Sequence, residues 1–163
     1  MNKLNVLAVS VFAAATLISA SAMAASVNST ATVTIKTPIA VAETTALSFG
    51  TVIPTVAANS ATVVLDFSDS ATSANATITG ATSGDFNVTG AGSSAFTLSG
   101  LGTVQMTGTG TDMPLVLSSS PAAGSLALSS GALPIVVGGS LTVGANQLSG
   151  AYTASYAVTV NYN

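Results

Sequence analysis

The stretch YTASYAVTVNY, residues 152–162, decides the fold class of this chain. Every second residue from Tyr152 onward is apolar, and the residues between them are Thr, Ser and Asn, with one Ala. Side chains of a β-strand alternate between two faces, so this period of two predicts a strand with one buried face. We expect a central, packed C-terminal core strand whose inward side chains are Tyr152, Tyr156, Val158, Val160 and Tyr162.

A second run with the same period lies near the other end of the chain, at residues 31–41. Ala31, Val33 and Ile35 share one face, and Pro38 interrupts the run because it cannot donate a ladder hydrogen bond. Two interpretations stay open for these three residues. They belong to the first strand of a complete sandwich, or they form a donor arm that adds as a strand to a neighbouring subunit.

Between these runs, short strand-like segments alternate with turn residues. A glycine recurs every ten residues, at Gly80, Gly90, Gly100 and Gly110. This period is typical of a meander of short strands, and a β-solenoid is the alternative interpretation. Helix-surface residues are nearly absent, which excludes parallel βαβ packing. We predict an all-β fold, an Ig-like or pilin-like β-sandwich of short antiparallel strands. A transmembrane barrel is the competing architecture, but the scattered aromatics do not form the girdles it needs.

The N-terminus reads as a secretory signal. Lys3 precedes an almost wholly apolar segment, and Ala22-Met23-Ala24 supplies the small–x–small cleavage pattern. The alternative is an N-terminal membrane anchor, which needs roughly 20 uninterrupted apolar residues and no signal-peptidase cleavage pattern. We predict a signal peptide over residues 1–24 cleaved after Ala24, a single domain over residues 25–163, and no membrane span after cleavage. The protein is then secreted, to the periplasm, outer surface or fimbrium of a bacterium.

The composition excludes several functions. The chain has no His and no Cys, and its only base after residue 24 is Lys36. A nucleic-acid binder needs a basic stripe, and the Ser residues lack a base that could activate them, so we expect neither nucleic-acid binding nor catalysis nor a cofactor. Asp66 and Asp69 are the one close pair of acids. Two interpretations stay open for this pair. Either the two carboxylates bind Ca²⁺ weakly, or they are turn residues that accept hydrogen bonds from local backbone N–H groups.

Both ends of the chain carry a family resemblance. Residues 31–39 and 47–54 at the start, and residues 141–147, 150–153 and 158–162 at the end, resemble a bacterial secreted family known only as domain of unknown function 4402. That family supplies no catalytic residues to carry over. The layout also resembles chaperone–usher fimbrial subunits, although the chain lacks the disulfide that many pilins carry. This likeness implies copies of the chain itself or related subunits as partners, together with a periplasmic chaperone.

The predicted function is a non-enzymatic structural subunit of a surface fibre or coat, assembled by β-strand addition. Ala31, Val33 and Ile35 would then enter pockets of a neighbour's groove. The alternative is a monomeric surface binding module, an adhesin or a carbohydrate-binding protein. Such a site needs aromatic platforms, whereas the three tyrosines share one face with core-like spacing.

Overall fold

The computed structural model describes residues 25–163, and every regular element in that range is a β-strand. The all-β prediction is therefore confirmed. Among these residues no helix is long and apolar enough to cross a membrane. The predicted signal peptide, with its cleavage residues Ala22 and Ala24, lies outside the described residues. Residues 35–163 form one compact unit, and residues 25–34 are not part of it.

The described residues contain thirteen strands, joined by turns and short loops. They are β1 (Ala40–Thr45), β2 (Thr51–Pro54), β3 (Ala61–Leu65), β4 (Ala71–Thr72), β5 (Ala76–Thr79), β6 (Gly84–Thr89), β7 (Ala95–Ser99), β8 (Thr103–Gly108), β9 (Met113–Ser120), β10 (Gly124–Ala127), β11 (Ala132–Val143), β12 (Tyr152–Thr153) and β13 (Thr159–Tyr162). The ten-residue glycine period marks strand ends, because Gly80, Gly90 and Gly100 directly follow β5, β6 and β7.

All strand pairs are antiparallel, in one large sheet and two small ones. The large sheet has the order β1-β6-β11-β9-β8-β12, with β3 on β11 and β4 on β3. The small sheets are β10-β7-β13 and β2-β5. The long strand β11 organises the large sheet, since it pairs with β6, with β9 and with β3 along its length. Such antiparallel sheets are typical of a sandwich.

Three stretches of the chain pass from the large sheet to the β10-β7-β13 sheet. They are residues 95–108, residues 113–127 and residues 152–162, and in each of them the two halves pair in different sheets. Gly100 lies at the first of these bends with φ of 96°, and a Cβ there would overlap the carbonyl oxygen of Ala157. Glycine thus lets the bent neighbours approach closely. Strands that switch sheets at bends are a known way of making a sandwich corner.

The core is built from the inward faces of these strands. In β9 the side chains of Met113, Leu115 and Leu117 are buried while their neighbours face solvent, as the period of two requires. The fully buried side chains are mostly aliphatic, with one aromatic among the largest: Phe96, Leu65, Leu98, Ile135, Val63, Val88 and Val137.

The C-terminal run differs from the predicted single central strand. It pairs only near its ends, where β12 lies on β8 and β13 on β7, and each is the last strand of its sheet. Residues 154–158 have no strand pairing because the run follows the bend between β7 and β8. The alternation itself persists, and the predicted side chains are half-buried against the core: Tyr152, Tyr156, Val158, Val160 and Tyr162.

Candidate functional site: an exposed arm and an open groove

The segment before the first strand is an uncovered, strand-patterned arm, defined here as residues 27–35. The structure begins β1 at Ala40, so Ala31, Val33 and Ile35 lie before the first strand and are exposed. Val33 is 84% exposed and Ile35 is 89% exposed, and Val27 is 91% exposed. Burying such a side chain stabilises a protein by about 1.5–3 kcal/mol. The arm therefore carries apolar surface that this chain leaves in solvent.

The C-terminus fixes the point from which the arm departs. The hydroxyl of Tyr162 donates a hydrogen bond of 2.8 Å to the carbonyl oxygen of Thr37, and it accepts one of 2.6 Å from the N–H of Ala91. The Lys36 ammonium lies 5.6 Å from the centroid of the Tyr162 ring, at cation–π distance. Lys36 and Thr37 are thereby held beside the end of β13.

An open groove of about 680 Å³ reaches the core elsewhere in the compact unit. Two segments line it, residues 47–54 around β2 and residues 147–156 around β12. Between them it is lined by core side chains of the large sheet: Met106, Met113, Leu115, Leu141 and Val143. The lining is predominantly apolar, and the volume falls in the range of roughly 300–1,000 Å³ that ligand pockets occupy.

Both strands that line the groove have an unpaired edge within the described residues. β2 pairs only with β5, and β12 pairs only with β8. The extended residues 154–158 continue from β12 without any strand pairing. Exposed sheet edges offer rows of main-chain N–H and C=O groups to an added strand. The groove thus combines an apolar interior with main-chain edges.

Tyr156 is the groove residue with the least satisfied polar group. Its ring packs edge-on against Phe86, with centroids 6.3 Å apart and planes at 73°. Its hydroxyl oxygen is buried and has no hydrogen-bond partner in the described part of the chain. Burial, and secondarily the charge of Glu43, raises the pKa of this phenol. The absence of a Cβ at Gly84 makes room for the hydroxyl.

The carboxylates of Asp66 and Asp69, in the β3–β4 turn, accept hydrogen bonds from serine residues. Asp66 Oδ1 accepts hydrogen bonds from the N–H groups of Ser68 at 2.8 Å and Ser70 at 2.9 Å. Asp69 Oδ1 accepts from both the N–H and the hydroxyl of Ser83, each at 2.7 Å. These bonds hold the pKa of Asp69 below its usual value. Asp66 therefore accepts hydrogen bonds from local backbone N–H groups, as the turn interpretation predicts, whereas Asp69 bonds to a residue outside the turn.

The structure distributes the predicted site residues over two places. Tyr152 and Tyr156 line the groove, whereas Tyr162 lies at the base of the arm. No sequence pattern marks the remaining groove residues, such as Met113 and Leu141, because a core residue beside an open groove has the same pattern as one inside a closed core.

The family model described as "Domain of unknown function (DUF4402)" matches residues 39–162, and the chain belongs to this family. The resemblance stated from the end motifs is thereby confirmed. The match begins at Ile39, so the arm lies before it. No curated protein and no solved structure matches the chain, and the likeness to chaperone–usher subunits is not confirmed.

Proposed function

We propose that this protein is a secreted, non-enzymatic structural subunit of a bacterial surface fibre or coat, assembled by β-strand addition. One observation carries the proposal: the same chain has an exposed, strand-patterned arm and an open, core-reaching groove with unpaired edges. The arm is unfavourable alone, since its apolar side chains stay in solvent. Seating the arm of one subunit in the groove of a second subunit removes these side chains from water.

The chemistry of strand addition fits these parts. Main-chain hydrogen bonds supply affinity, and pockets for alternate side chains supply specificity. A contact between two different surfaces of identical subunits leaves a free arm and a free groove at the ends, so it repeats without closing unless the rotation closes a ring. The product is an open filament, the form that a surface fibre needs.

The composition supports assembly as well. The whole chain has only two Lys and Arg residues and five Asp and Glu residues, so copies repel one another little. It also has no Cys, and therefore cannot use a disulfide outside the cytoplasm. Additional stability has to come from packing, which a neighbouring subunit can extend.

Electron microscopy and gel electrophoresis of purified protein lacking residues 1–24 test the proposal. We expect filaments, and ladders that resist SDS in the cold and collapse on boiling. The matched variant lacks residues 25–34, which lie outside the compact unit, and is expected to fold as monomers. Monomers at every concentration of the protein with its arm would contradict the proposal.

A monomeric binding module is the second candidate, because the groove has the volume of a ligand pocket and Tyr152 and Tyr156 line it. Tyr152 would offer its ring as an apolar surface for a sugar. Its hydroxyl already donates to the carbonyl oxygen of Leu148 at 2.8 Å. A glycan array separates the candidates: binding that Tyr152→Ala abolishes while the fold persists favours the module.

A further inference from the structure

We infer that the groove accepts residues 27–35 of a second copy of this chain, and that the chain's own arm does not fill it. The inference rests on the proposed function and adds to it the residues of the donor strand and their orientation. The odd-numbered arm residues face the groove, and the even-numbered ones face solvent.

The arm and the groove match in chemistry. The odd-numbered arm residues are Val27, Ser29, Ala31, Val33 and Ile35, while the even-numbered ones are Asn28 and three threonines. Only one face of an arm strand is therefore suited to the apolar lining that the incompletely buried side chains of Val52, Met106 and Leu148 provide. Since alternate residues of a strand point to opposite faces, this pattern fixes which face is buried.

The chain's own arm does not occupy the groove. In the single chain the apolar side chains of the arm are exposed, with Val27 at 91%, Val33 at 84% and Ile35 at 89%. An arm strand seated in the groove would have one face buried, because alternate side chains of a strand point to opposite faces. The strand that fills the groove is therefore assigned to a second copy.

Single-cysteine variants test the assignment directly. The chain has no Cys, so a disulfide between Val33→Cys in one copy and Ala154→Cys in another can form only between copies. Both full chains, without residues 1–24, are mixed unfolded, refolded together and oxidised. Two controls are matched: Thr34→Cys places the thiol on the other face of the arm, and Val116→Cys places it on an exposed site of β9, away from the groove.

We expect the Val33–Ala154 disulfide to exceed both control disulfides several-fold. A second pair, Ile35→Cys with Leu148→Cys, repeats the measurement should Ala154→Cys disturb folding. Filaments whose arm cysteines link to the groove no better than to position 116 would overturn the groove assignment and leave the fibre proposal standing. Neither filaments nor disulfides would overturn both.

Discussion

Tyr156 and Tyr162 share one face of the C-terminal run but have opposite hydrogen-bond environments. The Tyr162 hydroxyl joins three parts of the chain, since it bonds to both Thr37 and Ala91. The Tyr156 hydroxyl is buried without a partner in the described residues. A buried polar group without a partner opposes folding, whereas a satisfied one contributes to stability.

The substitution Tyr→Phe should therefore have different effects at the two sites. Tyr162→Phe removes two hydrogen bonds and leaves an N–H and a carbonyl to find water, so we expect the free energy of unfolding to fall by about 1–3 kcal/mol. Tyr156→Phe removes an unsatisfied hydroxyl and should leave stability unchanged or higher. Urea unfolding of both variants measures this, and equal losses would contradict the hydrogen-bond assignment.

Asp69 makes stability depend on pH. Its pKa is lowered in the folded chain by the hydrogen bonds from Ser83. The folded carboxyl consequently binds protons less readily than the unfolded one, and its contribution is full above the unfolded pKa and is lost as pH falls through the folded pKa. We expect the stability advantage of the wild type over Asp69→Asn to shrink across that acidic range.

Chemical unfolding at a series of acidic pH values measures this advantage. Asp112→Asn, at an exposed position between β8 and β9, controls for the loss of one charge. A wild-type advantage over Asp69→Asn that stays constant as pH falls would contradict the role given to the Ser83 hydrogen bonds.

At the scale of elements, the sequence predicted which side chains of a strand are buried better than it predicted which strands pair. The alternation in residues 152–162 identified the half-buried side chains correctly. It could not predict that residues 154–158 leave the ladder, because that break is imposed by the bend at Gly100, more than fifty residues earlier in the chain. Long-range pairing of this kind is set by tertiary contacts, not by local pattern.

The sequence predicted one part of the candidate site, the arm, but not the groove, because only the arm has a distinctive local pattern. The period of two marked Ala31, Val33 and Ile35 as a strand or an arm, and only the structure places them before the first strand. The groove had no local signature, since Leu115 and Leu141 alternate like any core residues.

Replacing the glycine at the bend between β7 and β8 with alanine should lower the free energy of unfolding. Gly100→Ala combines a positive φ with overlap of the Ala157 carbonyl oxygen, whereas Gly80→Ala has the positive φ alone, with no described atom within 4 Å of its Cβ. The backbone conformation costs an alanine about 1–2 kcal/mol. We expect Gly80→Ala to lose about that much and Gly100→Ala clearly more, as measured by urea unfolding. Equal losses would contradict the close approach at the bend.

At the scale of the whole molecule, the compact unit has an open groove with a predominantly apolar lining, and the chain carries an exposed apolar strand pattern before that unit. The proposed strand addition between copies would account for both features with one contact. The arm side chains are exposed in the single chain, so changing them should alter assembly and leave the stability of the fold unchanged.

The most direct test is the mass of the assembled species, measured by light scattering on three proteins that lack residues 1–24. Val33→Asn with Ile35→Asn changes the arm face that we propose enters the groove, and Thr32→Asn with Thr34→Asn changes two residues of the opposite face. We predict large assemblies for the wild type and for the threonine variant, and monomers with an unchanged unfolding curve for the Val33/Ile35 variant. Equal masses for all three proteins would contradict assembly by strand addition.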